Sequence, residues 1–100
     1  MILYYVPCKD KKEAKKIAKE LLKQKLIACA NIVPAESIYE WEGELKEETE
    51  AILLVKTLER WEEEAKNAIR ELHSYDIPAI IKLNARVNKE YLSWMEGCIR

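Results

Sequence analysis

The apolar positions of this chain switch between a strand period of about two residues and a helix period of about 3.6, and each switch marks an element. Ile2 to Val6 is aliphatic and aromatic and stops at Pro7, so it predicts a strand. Asp10 with Glu13 is a capping-box-like start. Ala14, Ile17, Ala18, Leu21 and Leu22 then fall on one helical face, lysines fill the other, and the helix is expected to end near Lys25. Leu26 to Trp41 reads as extended, with Pro34 suited to an edge strand or bulge because it donates nothing to a ladder. Ser37, Tyr39 and Trp41 share one face of it; Ile38 and Glu40 share the other. Glu42-Gly43 is the turn, and Glu44 to Lys56 returns as the partner strand. Thr57 is a fair N-cap for a helix carrying Leu58, Trp61, Ala65, Ala68, Ile69 and Leu72. Pro78 to Val87 reads as the last strand. Asn88 is placed to cap a final helix with Tyr91, Leu92, Met95 and Ile99 on one stripe, flanked by Trp94 and Cys98.

The order β-α-β-β-α-β plus a C-terminal helix predicts an α+β fold, a ferredoxin-like sandwich over residues 1–100 as one domain. Its four-stranded antiparallel sheet would carry both long helices on one face. The second and third strands form a hairpin far longer than the usual strand of about 5–6 residues, so its tip should reach past the helices. The second strand is an edge, and little but Pro34 blunts it. A second subunit pairing there, in a closed ring, is the expectation.

Composition narrows the function classes. Hydrophobic residues make up 49% of the 100, the net charge is -1, and no basic cluster suits a nucleic-acid surface. No stretch would span a bilayer and no signal peptide is evident. Cys8, Cys29 and Cys98 have neither zinc-finger nor Cys-x-x-Cys spacing, which points to thiols in a reducing cytoplasm. The few glycines and single glutamine, with abundant Glu and Lys, give a faint thermophile signature. Gly43 and Gly97 are the only glycines, so no glycine-rich phosphate cradle can form, and no Gly-x-Ser-x-Gly elbow exists. A Cys29-His73 dyad is formally allowed, but nothing else points to an enzyme.

His73 is the only histidine and stands at a helix-to-strand junction, Leu72-His73-Ser74-Tyr75-Asp76-Ile77-Pro78. Histidine titrates near neutral pH and binds metal readily. The bland alternative is a residue that bonds the final carbonyls of its helix. Cys29, between two alanines, reads as a small buried hydrophobe or as a thiol facing an intersubunit cleft. Cys8 follows a proline at a strand end and is expected to be exposed.

Four segments together carry a family pattern: Leu26-Ile27-Ala28-Cys29-Ala30-Asn31, Ser37-Ile38-Tyr39-Glu40-Trp41-Glu42-Gly43, Lys56-Thr57, and His73-Ser74-Tyr75-Asp76-Ile77-Pro78, closed by Tyr91-Leu92-Ser93-Trp94. The chain resembles the CutA divalent-cation-tolerance family over nearly its whole length. The resemblance implies a ferredoxin-like homotrimer locked by its hairpins, with Tyr39 and Trp41 in the interface, and a cytoplasmic, non-enzymatic role in metal tolerance, copper above all. His73 matches the family's histidine, and Glu50 matches an acidic position. Copper-binding relatives have a first-strand cysteine where this chain has Val6, with Cys8 two residues on. They have a second histidine at Leu72 and commonly a proline at Ser74. The expectation is therefore reversible, low-affinity Cu2+ binding through His73 and Glu50, weakening as pH falls towards about 6. A second reading is a PII-like signalling trimer whose intersubunit clefts, lined by Cys29, Lys56, Tyr75 and Glu50, bind a small metabolite. A third is a scaffold for a partner protein.

Overall fold

A computed structural model describes residues 1–99. Four strands, β1 (Ile2–Cys8), β2 (Cys29–Trp41), β3 (Glu44–Thr57) and β4 (Ile81–Asn84), form one sheet in the order β2-β3-β1-β4. Every neighbouring pair is antiparallel. Helices α1 (Lys11–Lys23) and α2 (Glu62–Leu72) follow β1 and β3, and α3 (Lys89–Cys98) closes the chain. This is the expected ferredoxin-like α+β sandwich.

Strand alternation builds the core. Ile2, Tyr4, Val6 and Cys8 of β1 point inward, as do Ala51, Leu53 and Val55 of β3, against Ala14, Ile17, Ala18 and Leu21 of α1 and Ala65 and Ile69 of α2. A smaller cluster of Ala28, Leu58, Met95 and Ile99 seats α3. On the opposite face of the sheet Tyr5, Val33, Ile81 and Leu83 are exposed.

The structure corrects several boundaries. β1 continues through Pro7 to Cys8 instead of stopping at Val6. Proline is tolerated there because β4 pairs only as far as Tyr5, so no ladder bond needs the missing N–H. Cys8 therefore takes the inward phase of the strand and is fully buried, not exposed. α1 ends at Lys23, and Lys25 turns the chain at φ +59. Thr57 is not a helix cap: it ends β3, and its buried hydroxyl donates to the Leu26 carbonyl at 2.6 Å. A 3-10 turn at Glu59–Trp61 precedes α2. β4 is four residues long, not the ten from Pro78 to Val87. Asn88 does precede α3, but its side chain donates to Glu90 and caps nothing.

The hairpin keeps its expected length. β2 and β3 pair without a break from Cys29–Lys56 to Trp41–Glu44. Glu42 and Gly43 both have positive φ, +52 and +79, the requirement of a tight two-residue turn that matches strand twist. The molecule measures 47 × 24 × 21 Å, and a strand of this length covers most of the long axis at about 3.3 Å per residue.

Candidate functional site

Three elements meet below the base of the hairpin: the end of β1, the first turn of α1 and the C-terminus of α2. Asp10 caps α1, accepting the Glu13 N–H at 2.8 Å. The returning half of the capping box is displaced by one residue, so that Glu13 Oε1 accepts the Lys9 N–H at 3.0 Å. Glu13 Oε2 accepts the Ser74 N–H at 2.9 Å, which ties α1 to the segment after α2. Burial pushes the Glu13 carboxyl up, but the hydrogen bonds from Ser74 and Lys9 outweigh it and hold the group below the usual carboxylate range.

His73 lies at the C-cap of α2, and its own N–H donates to Ile69. Its ring does not bond the last helical carbonyls. Nε2 lies 2.8 Å from the Pro7 carbonyl, and Nδ1 accepts the Tyr75 N–H at 3.1 Å. These partners assign the hydrogen to Nε2 and leave Nδ1 as the acceptor. Cys8, Glu13 and His73 each offer one ligand atom within 4.8 Å of the others, all three buried. Burial, with the nearby Glu13 charge second, pushes the Cys8 thiol up to about 12. Thiol, carboxylate and imidazole form a sulfur-oxygen-nitrogen set of the kind that suits borderline divalent ions.

Glu50 stands on the other side of Tyr75. Its Oε2 accepts the Tyr75 hydroxyl at 2.6 Å, and its Oε1 accepts the Ser37 hydroxyl. Burial and the Glu50 hydrogen bond raise the Tyr75 phenol far above its usual value, so it remains a donor at any working pH. The two expected metal residues are thus linked through Tyr75 rather than brought side by side. Tyr75 also tilts against the His73 ring with centroids 4.7 Å apart. Beyond Glu50, an open cleft of about 520 Å3 is lined by Tyr39, Trp41, Glu48, Glu50, Tyr75 and Ile77, among others. The Tyr39 hydroxyl donates to Glu48 at 2.8 Å.

The other expected residues lie elsewhere. Cys29 pairs across the hairpin with Lys56, six residues along β3 from Glu50, or about 20 Å. Lys56 Nζ donates to the Tyr91 hydroxyl at 3.4 Å and sits 5.3 Å from the ring centroid. Within one protomer, Cys29 and Lys56 therefore do not share the cleft of Tyr75 and Glu50. Sequence reasoning missed Glu13 and Cys8 as neighbours of His73. The signal for Cys8 was its two-residue spacing from Val6; Glu13 read only as a cap.

The family model described as "CutA1 divalent ion tolerance protein" matches residues 2–98. The divalent-cation tolerance protein CutA of Pyrococcus horikoshii is 45% identical over 96 residues, covering 95% of this chain and 94% of that protein. The crystal structure of CutA1 from the same organism superposes with a TM-score of 0.95 at 42% identity, covering 100% and 99% of the two chains. The PII-like protein CutA from Nostoc sp. in apo form superposes with a TM-score of 0.91 at 28% identity, covering 100% of this chain and 98% of that one.

Proposed function

The chain belongs to the CutA1 divalent ion tolerance family, and we propose that it acts as a cytoplasmic homotrimer that binds divalent metal without catalysing a reaction. Copper is the first ion to test, with His73 and Glu50 as the residues that govern its uptake. The observation that carries the assembly is the arm. β2 is an edge strand of 13 residues, and near the tip of the hairpin Ile38 and Trp41 of β2 and Leu45 of β3 are 67%, 58% and 71% exposed. An edge this long, with exposed apolar side chains along it, needs a partner, and a copy of itself supplies one. Tyr39 and Trp41 are then interface residues. No helix among the described residues is long and apolar enough to cross a membrane.

The metal reading is supported by the chemistry around Tyr75. Imidazole on one side and carboxylate on the other are the donor types that divalent copper favours. Both His73 nitrogens and both Glu50 oxygens already have partners, so an ion must displace a hydrogen bond and affinity is low. Calorimetric titration with Cu2+ tests this: His73→Ala and Glu50→Gln should each weaken binding relative to wild type. Equal affinity in a folded variant removes that residue from the reading, and native mass spectrometry of the wild type checks the subunit number.

A second reading has its own observation. The cleft that carries Glu50 and Tyr75 opens beside the arm, where a neighbouring subunit would form its other wall. A PII-like trimer binding a small metabolite there would bring Cys29 and Lys56 of one protomer towards Tyr75 of another. Stabilisation by a metabolite panel in thermal shift favours this reading over a bare scaffold for a partner protein.

A further inference from the structure

Glu13 is only 8% exposed, yet no Lys or Arg forms an ion pair with it among the described residues. A carboxylate taken out of water is costly unless a positive charge compensates it. The groups beside it are the Cys8 thiol and the His73 ring, whose donor atoms lie within 4.8 Å of the carboxylate and of each other. Hydrogen bonds from the Lys9 and Ser74 amides lower the cost and hold both carboxylate oxygens in place beside the thiol and the ring.

We propose that Cys8, Glu13 and His73 form an interior site for a borderline divalent ion of the Zn2+ class, built within a single protomer. This names the ligands that join His73, and so rests on the divalent-ion reading above. The site differs from the resemblance-based one in every residue but His73: Val6 and Leu72, where copper-binding relatives have their other ligands, have no donor atom. The thiolate moves two residues along the same face of β1, and a carboxylate from α1 replaces the second imidazole.

The geometry meets the demands of such a site. Metal–ligand bonds of about 2.0–2.3 Å set tetrahedral ligand atoms about 3.3–3.8 Å apart. The three donors lie within 4.8 Å of one another, so loading contracts them by up to about 1 Å. The outer partners are in place. Metal-bound imidazoles usually donate their other N–H to a carbonyl or carboxylate, and Pro7 already receives Nε2–H. Both Glu13 oxygens are held by amides, and each keeps a lone pair. The Tyr75 N–H bond to Nδ1 is the one an ion displaces. As the metal–sulfur bond forms, the Cys8 S–H bond breaks and its proton leaves to solvent, one for each ion bound. The fourth position takes water. Glu13 and Ser74 also line an open cleft of about 370 Å3 rimmed by Lys9, Lys12 and Lys16, an entry route whose positive rim slows cation uptake.

The test is titration of the full chain with Co2+, read by optical absorption. The wild type should develop a thiolate-to-cobalt charge-transfer band with intense tetrahedral d–d bands, and Zn2+ should displace both. Cys8→Ser should remove the charge-transfer band, and Glu13→Gln should weaken Co2+ binding about 10-fold or more. Cys98→Ser should leave the spectrum unchanged. Cys8→Ala, a small apolar replacement, keeps the test valid if the serine variant misfolds. A charge-transfer band that survives loss of Cys8, or no band in the wild type, overturns the proposal. If Cu2+ calorimetry depends on His73 while no cobalt signal depends on Cys8, the inference fails and the wider reading stands. If neither signal depends on His73, both fail.

Discussion

The base and the arm of this protein are continuous parts of one ladder and differ in nearly everything else. At the base, β3 is buried through Ala51, Ile52, Leu53 and Val55, with α1 packed against it. Along the arm, the same strand from Glu44 to Thr49 has no buried residue, and β2 opposite it is no better covered. Backbone pairing is equally complete in both regions. Hydrogen bonds therefore do not distinguish them; burial does. An isolated two-stranded ribbon is marginal in water, so the base holds the fold and the arm is built for a second surface.

The strongest way to break this contrast is to strike each region and compare the readouts. Leu53→Ala removes a fully buried side chain at the base and should cost about 2–5 kcal/mol of unfolding free energy, measured by denaturant titration. Trp41→Ala at the tip should leave protomer folding nearly intact while costing assembly about 2–4 kcal/mol, the range of an aromatic hot spot. Sedimentation velocity at falling concentration reads that loss, and a variant that assembles as tightly as wild type would remove the arm from the interface.

A finer probe is Glu13, which braces the base rather than filling it. Its folded pKa lies below the ordinary 4.5, so its contribution is fully present above that value and is lost as pH falls through the lower, folded one. Glu13→Gln should cost about 1.5 kcal/mol at neutral pH. The gap between the variant and wild type should close as acidification passes below 4.5 and through the lower, folded value, followed by thermal unfolding across pH. A gap that stays constant would mean that the carboxylate charge is not what braces α1 to Ser74.

The sheet, the long hairpin and the two covering helices were legible because strand alternation and helical spacing are properties of neighbours in the chain. Failures came where distant segments decide. Thr57 has the chemistry of a helix cap, but the Leu26 carbonyl claims its hydroxyl and keeps it in β3. Pro7 looked like a stop, yet the short reach of β4 makes a proline harmless there. Pro78 to Val87 looked like a full strand, but β1 offers partners only to Ile81–Asn84. Of the candidate site, His73 and Glu50 could be named from the sequence. Their link through Tyr75 could not, because it joins the segment after α2 to β3, and neither could the grouping of Cys8 and Glu13 around the ring, which depends on how α1 meets the end of α2.

The turn at Glu42-Gly43 reaches beyond the two residues that make it. By fixing how β2 meets β3, it decides which side chains stand opposite one another across the ribbon: Ser37 with Glu48, Tyr39 with Lys46 and Trp41 with Glu44. A register slip started at this bend would give Tyr39 and Trp41 other cross-strand partners while the helices beneath stayed put. A neighbouring copy would then meet phenol and indole set among different charges, so the least buried corner of the molecule holds the code for what it can join.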